Sequence, residues 1–318
     1  MANASQIVSL IHSHFASEDE RFSTLALQIA AHEARLGHTA TAQQIREIID
    51  KEKSNKAKLK VVKIHSDLGD LIYETTPKNR LNQLVLPEEL KQRIERILKE
   101  YRQRGKLQKH GLSHRRKILL VGPPGTGKSM TAATIAGELH LPLYAVQMDK
   151  IVTKYLGETS AKLRQVFDFI ESQKGVFLFD EFDAIGTERS KENEVGEMRR
   201  ALNSLLQFME ASHSESLIIA ATNNISLLDK ALFRRFEDIL YYQLPNPQDA
   251  ILLLKNRLGS FGKGLKLDGL ENEVVGLSHA QLTQASDDAI KESILNDIES
   301  VDYNILITCL REKKHINH

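Results

Sequence analysis

One stretch constrains this chain more than any other. Ile118-Leu119-Leu120-Val121 is followed by Gly122-Pro123-Pro124-Gly125-Thr126-Gly127-Lys128-Ser129, and then by Met130 to Leu139. The first four residues are an apolar run of the kind that forms a buried strand. The last ten are rich in helix formers. Between them lies the pattern G-x-x-x-x-G-K-S, in the strand–loop–helix context that a phosphate-binding loop requires. Its glycines let the backbone wrap a phosphate with no Cβ in the way. The loop N–H groups and the start of the helix then face the anion. In that arrangement Lys128 bridges the β- and γ-phosphates, and the Ser129 hydroxyl ligates Mg²⁺. Pro124, Gly125, Thr126, Gly127, Lys128, Ser129 and Met130 are therefore the candidate nucleotide-binding residues.

The chain downstream supplies the rest of a hydrolytic site. Leu143 to Val146 reads as a second strand, and Ser160 to Ser172 as a helix on Leu163, Val166, Phe167 and Ile170. A third strand, Gly175 to Phe179, ends in Asp180-Glu181. An aspartate at the end of such a strand holds the metal, and the glutamate beside it orients and polarises the attacking water. A fourth strand, Leu217 to Thr222, ends at Asn223, which is placed to hold that water or to sense the γ-phosphate. Arg234 and Arg235 come just before a fifth strand, Ile239 to Gln243. Adjacent arginines are usually solvated or ion-paired. Here they are candidates for stabilising charge on the transferred phosphoryl group, in cis or from a neighbouring subunit. Strands alternating with helices around a phosphate loop imply an α/β fold, a three-layer parallel sheet with the nucleotide at the strands' C-terminal edge.

Length and composition bound the remainder. A chain of 318 residues is expected to hold about two domains. With 27% charged and 41% hydrophobic residues it reads as an ordinary globular protein. Its net charge of +1 gives no electrostatic case for nucleic acid or a membrane surface. The single cysteine, Cys309, lies among Ile305, Leu306, Ile307 and Leu310 and reads as a small core residue. No signal peptide and no long apolar span are seen, so a cytoplasmic protein is expected.

Four segments are expected. Residues 1–53 read as an N-terminal module of three short helices. The first carries Ile7, Leu10, Ile11 and Phe15. The second follows the capping sequence Ser17-Glu18-Asp19-Glu20, bears Phe22, Leu25, Ile29 and Leu36, and stops at Gly37. The third carries Ile45, Ile48 and Ile49. The module is read as a docking element for a substrate or partner, with a packing extension of the main domain as the alternative. Residues 54–80 form a linker whose first part is lysine-rich, without the interleaved aromatics that base stacking would need. Residues 81–246 are the α/β domain, opened by a helix from Glu88 to about Arg104. Pro245-Asn246-Pro247 marks the next boundary, and 247–318 read as a helical lid.

Together these motifs resemble the AAA ATPases, over about residues 81–297. The phosphate loop looks like that family's first nucleotide motif and Phe177-Leu178-Phe179-Asp180-Glu181 like its second. Ala220-Ala221-Thr222-Asn223 resembles its first sensor. Asp229-Lys230-Ala231-Leu232-Phe233-Arg234-Arg235-Phe236-Glu237 resembles its second region of homology. The resemblance implies ATP and Mg²⁺ as cofactors. It also implies a homohexameric ring when active, with Arg234 and Arg235 acting on the neighbour's ATP. Lys154-Tyr155-Leu156-Gly157-Glu158, expected in a loop, looks like the central-pore loop of the katanin and spastin group. There the aromatic residue grips an extended polypeptide, which makes Tyr155 the candidate, with Lys154 and Leu156 beside it. Two departures fall at the base. Ser278-His279-Ala280-Gln281 stands where the family often has Ser-Gly-Ala-Asp, and Leu84-Val85-Leu86 where it has Ile-Gly-Gly. Val85 and His279 are thus the candidates facing adenine.

The short layout resembles small bacterial AAA proteins encoded beside a subtilisin-like protease, which makes such a protease a candidate partner. The leading expectation is an ATP-driven ring that remodels or threads a protein substrate. The alternative is an ATP-dependent regulatory or antitoxin-like switch acting on a partner without threading. A nucleic-acid motor is disfavoured by the charge and by the pore loop.

Overall fold

The computed structural model describes residues 19–35, 38, 43, 45, 68–151, 156–182, 203–224, 233–267 and 269–315. It divides into two units, Met1–His65 and Ser66–His318. In the first unit, helix α1 (Asp19–Arg35) is the second of the three helices expected. Ala26, Ile29 and Ala30 are buried at the three- and four-residue spacing of one helix face. The His38 N–H donates to the Glu33 carbonyl at 3.0 Å, a six-to-one closure of the kind that ends helices. Of the third helix, Gln43 and Ile45 are helical; the first lies outside the described residues.

The second unit is built on a six-stranded sheet in the order β1-β3-β4-β5-β2-β6. The strands are β1 (Ile72–Thr75), β2 (Lys117–Val121), β3 (Leu143–Val146), β4 (Val176–Phe179), β5 (Leu217–Thr222) and β6 (Asp238–Tyr241). All neighbours are parallel except β1 and β3, where Ile72 pairs with Val146 and Thr75 with Leu143. Strand β1 falls in the stretch read as linker. Its sequence carries no clean alternation, yet Leu71 and Ile72 are buried and the strand closes the open edge of β3.

Period-two alternation sorts the strand residues onto two faces. Leu119, Phe177, Phe179 and Ile218 pack with helix α6 (Leu156–Ser172) through Leu163, Val166 and Ile170. Ile118, Leu120, Val176, Leu178 and Ile219 pack on the other face. They meet helix α2 (Glu88–Arg102) and helix α4 (Lys128–Leu139) through Ile94, Ile97, Ile135 and Ala136. Between these run α3 (Arg104–Gln108) and α5 (Met148–Ile151). Helix α6 starts at Leu156, so Leu156, Gly157 and Glu158 belong to its first turn rather than to a loop. Glu158 suits that position, since an acid is favoured at a helix N-terminus. A further helical run covers 203–211.

After Pro245 the regular elements of the described residues are helices. Helix α7 (Pro247–Leu258) has Asn246 as N-cap, accepting from the Asp249 N–H at 2.8 Å, with proline in its first turn. Helices α8 (Glu271–Val274), α9 (His279–Leu295) and α10 (Tyr303–His315) complete the set. They enclose a core of their own that includes Leu254, Leu282, Leu306 and Leu310, and Cys309 is buried in it. Among the described residues no helix is long and apolar enough to cross a membrane.

Candidate active site

The strand order makes the site. Strand β2 lies between β5 and β6, while the chain leaving it crosses to β3 on the far side of β4. Loops after β2, β4 and β5 therefore converge at one C-terminal edge, where doubly wound sheets bind ligands. The loop after β2 is the predicted phosphate loop. Gly125 and Gly127 have φ of 73° and 94°, left-handed values that favour glycine. A Cβ on Gly122 would stand 2.4 Å from the Tyr242 carbonyl oxygen, so glycine is required there by close approach. Thr126 is buried and its hydroxyl donates to the Pro123 carbonyl at 2.8 Å, pinning the loop from within.

Lys128 is only 6% exposed. A buried ammonium must be hydrogen-bonded. It donates to Gly122 O at 2.7 Å, Pro123 O at 2.8 Å and Asn223 Oδ1 at 2.8 Å. Two of these acceptors belong to the loop that Lys128 serves, and the third is the residue expected to sense phosphate. The Ser129 hydroxyl donates to Asp180 Oδ2 at 2.5 Å. These two oxygens, one from the end of β2's loop and one from the end of β4, are hard donors of the type Mg²⁺ takes. They fit a magnesium ion that completes its shell with water and substrate phosphate oxygens.

Glu181 follows at φ 51°, left-handed for a non-glycine residue, with its N–H bonded to Asp180 Oδ1 at 2.9 Å. Backbone strain of that kind concentrates at functional sites. Both Glu181 and Asn223 are exposed at the sheet edge, and Met130 is exposed beside the loop.

The residues proposed for the base also come together. His279, at the start of α9, has Nε2 3.1 Å from the Val85 carbonyl. A carbonyl only accepts, so Nε2 carries the proton. Burial pushes the His279 pKa below its ordinary value. Next to it, the Ala280 N–H donates to Gly125 O at 2.9 Å, so the helical segment rests directly on the phosphate loop. Arg234 and Arg235 are not part of this cluster. Both are exposed, and Arg235 is ion-paired with Glu210 of the 203–211 helix. Lys154 and Tyr155 lie outside the described residues, and of Leu156 only its place in α6 is described. Sequence reasoning singled out neither Thr131 nor Tyr242, whose hydroxyls meet at 2.8 Å across 111 residues of chain. No local pattern marks a pair so far apart.

The chain resembles known proteins in sequence. The family described as ATPase family associated with various cellular activities (AAA) matches residues 118–244. A protein of Sinorhizobium fredii named uncharacterized AAA family ATPase y4kL is 31% identical over 316 residues, covering 96% of this chain and 94% of the relative. The chain belongs to the AAA family of ATPases. A putative 26S proteasome regulatory subunit homolog of Methanothermobacter thermautotrophicus is 30% identical over 207 residues, 63% of this chain and 55% of that protein. An ATP-dependent zinc metalloprotease FtsH of Karelsulcia muelleri is 31% identical over 209 residues, 63% of this chain and 34% of that protein. The AAA protein described here thus spans nearly the whole of the first relative, about half of the second and a third of the third. Its enzymatic activity is ATP hydrolysis.

Proposed function

We propose that this AAA protein is a ring-forming motor that uses ATP hydrolysis between subunits to remodel a protein substrate. Lys128 and the loop N–H groups bind the phosphates. Ser129 and Asp180 hold Mg²⁺, which supplies charge neutralisation at the β- and γ-phosphates when bound. Glu181 polarises the attacking water, and Asn223, released from Lys128 by the arriving phosphate, positions that water or reads the γ-phosphate. Val85 and His279 flank the adenine. Arg234 and Arg235 act on the ATP of the next subunit in a homohexamer. Tyr155, flanked by Lys154 and Leu156, grips a polypeptide in the central pore, and residues 1–53 recruit it. The setting is cytoplasmic.

The observation that carries the assembly is where the arginines sit. They lead into the N-terminal end of β6, whereas the phosphate loop leaves the C-terminal end of β2, its parallel neighbour. The five residues of β2 alone span about 16 Å, too far for an arginine side chain to reach its own loop. In the isolated chain Arg235 is held by Glu210 instead. A neighbouring subunit's phosphate is the target this placement suits.

Complementation tests it. Lys128→Ala keeps its arginines but has no working site, and Arg234→Ala/Arg235→Ala keeps its site but has no arginines. Each is expected to be inactive alone and to regain ATPase activity when mixed. Full activity in the double arginine variant, or no recovery on mixing, would remove the trans reading.

A second reading is a regulatory or antitoxin-like switch for a proteolytic partner such as a subtilisin-like protease, without threading. The proteasome regulatory subunit homolog and the FtsH protease among the relatives favour it. Regulation that survives Tyr155→Ala but not Lys128→Ala would select the switch over threading.

A further inference from the structure

The two ends of the phosphate loop meet at one residue that the chemistry above does not use. Tyr242 follows directly on β6, and its N–H donates to the Val121 carbonyl at 2.6 Å, extending the strand pairing to the residue before the loop. Its backbone is the wall against which Gly122 packs, since a Cβ on Gly122 would be 2.4 Å from Tyr242 O and 2.7 Å from Tyr242 Cβ. At the other end, the Tyr242 hydroxyl donates to Thr131 Oγ1 at 2.8 Å in a buried bond. Thr131 Oγ1 donates in turn to the Gly127 carbonyl at 3.0 Å, which also accepts the Thr131 N–H at 2.8 Å.

We propose that Tyr242 is a positioning residue for ATP binding, its backbone holding the entry of the phosphate loop and its hydroxyl, relayed by Thr131, holding the exit. The relay acts through one peptide plane. The Gly127 carbonyl and the Lys128 N–H belong to the same rigid unit and point in opposite directions. Fixing that carbonyl toward Thr131 aims the Lys128 N–H out of the helix start, where an anion binds. A threonine hydroxyl has a single proton to give. With Tyr242 donating into its oxygen, that proton is directed to Gly127.

The surroundings leave the relay no alternative partner in water. Tyr242 is 3% exposed and Thr131 fully buried. Burial also pushes the phenol pKa up, so the hydroxyl remains a donor across the working pH range. A phenylalanine at 242 would fill the same volume and pack on the same sheet face, but would free the Thr131 hydroxyl to rotate.

The inference rests on the nucleotide reading of the site, and the experiment separates the two. ATP affinity is measured by calorimetric titration in a Glu181→Gln background, which slows turnover, with urea unfolding of each variant in parallel. Tyr242→Phe and Thr131→Val are each expected to weaken ATP binding about fivefold, the scale of one buried hydrogen bond. The double variant is expected to be no weaker than either single one, because both cut the same relay. Thr131→Ser, which keeps the hydroxyl, retains the background affinity. Tyr144→Phe, at a buried tyrosine of β3 that packs on Phe169 and Phe177, also leaves affinity unchanged.

Background affinity in Tyr242→Phe, with only the unfolding midpoint lowered, would overturn the proposal and reduce Tyr242 to packing. A double variant showing the product of the single effects would overturn the relay. No ATP binding by the background protein would overturn the nucleotide reading and this proposal with it.

Discussion

Replacing Gly125 by alanine tests whether the phosphate loop and the start of α9 are packed as one surface. Gly125 sits at φ 73°. That conformation costs an L-residue about 1–2 kcal/mol. The new Cβ would stand 2.7 Å from Ser278 Oγ and 3.1 Å from Ala280 Cβ. Neither neighbour is free to move. Ser278 Oγ caps α9 by accepting the Gln281 N–H, and losing such a cap costs about 1 kcal/mol. Ala280 is tied to Gly125 by its N–H, a bond worth about 1 kcal/mol net. Relief of the clash breaks one or both, for a total of about 2–4 kcal/mol. Gly127→Ala is the matched control. Its φ is 94°, but among the described residues no atom beyond its chain neighbours lies within 4 Å of the added Cβ, so it bears the backbone cost alone. Urea unfolding without nucleotide should show Gly125→Ala less stable than Gly127→Ala by about 1–2 kcal/mol. Equal losses in the two variants would refute the packed contact between loop and helix.

Other outcomes follow from the same geometry. Glu181→Gln should keep ATP affinity while turnover falls by about 10²–10⁴-fold, as loss of a group that activates water predicts; titration and steady-state assays together check this. Asp180→Asn should raise the Mg²⁺ concentration needed for half-maximal ATPase activity, because one of the two oxygens that meet at 2.5 Å loses its charge; a Mg²⁺ titration decides. His114 is buried against Tyr101, ring centroids 5.2 Å apart, and burial holds its pKa below the ordinary 6.5. The unfolded chain therefore takes up a proton that the native state resists. Stability is fully present above about pH 6.5 and declines as pH falls below it. His279 contributes with the same sign. His114→Phe should flatten, without abolishing, the fall in unfolding free energy between about pH 7.5 and 5.5; an unchanged slope would count against His114 as a source.

Much of this site was legible because its parts are local. Strand, loop and helix around Lys128 are contiguous, and Asp180 and Asn223 each end an apolar run long enough to be read as a buried strand. Each strand end falls at the edge that the parallel sheet was expected to provide. The start of α6 was misplaced because Gly157 reads as a loop residue, while the acid at Glu158 and the packing of Leu163 on the sheet extend the helix back to Leu156. Strand β1 was illegible because Tyr73, Glu74 and Thr75 are exposed or polar. Only pairing with β3, seventy residues downstream, makes a strand of them.

The sequence by itself determined the family and the candidate chemistry of this protein: a phosphate-loop pattern, an acid proposed for the metal, a glutamate proposed for water and a pair of arginines, all carried on short motifs whose backbone requirements are local. Tertiary structure decided how those parts are wired. It set Lys128 on Asn223 and Ser129 on Asp180. It also joined His279 to Val85 and Tyr242 to Thr131, and placed Arg235 on Glu210, away from its own loop. Those links join residues up to 194 positions apart, and side-chain hydrogen bonds at such separations exist only once the chain has folded and brought strand ends, loops and helix starts together.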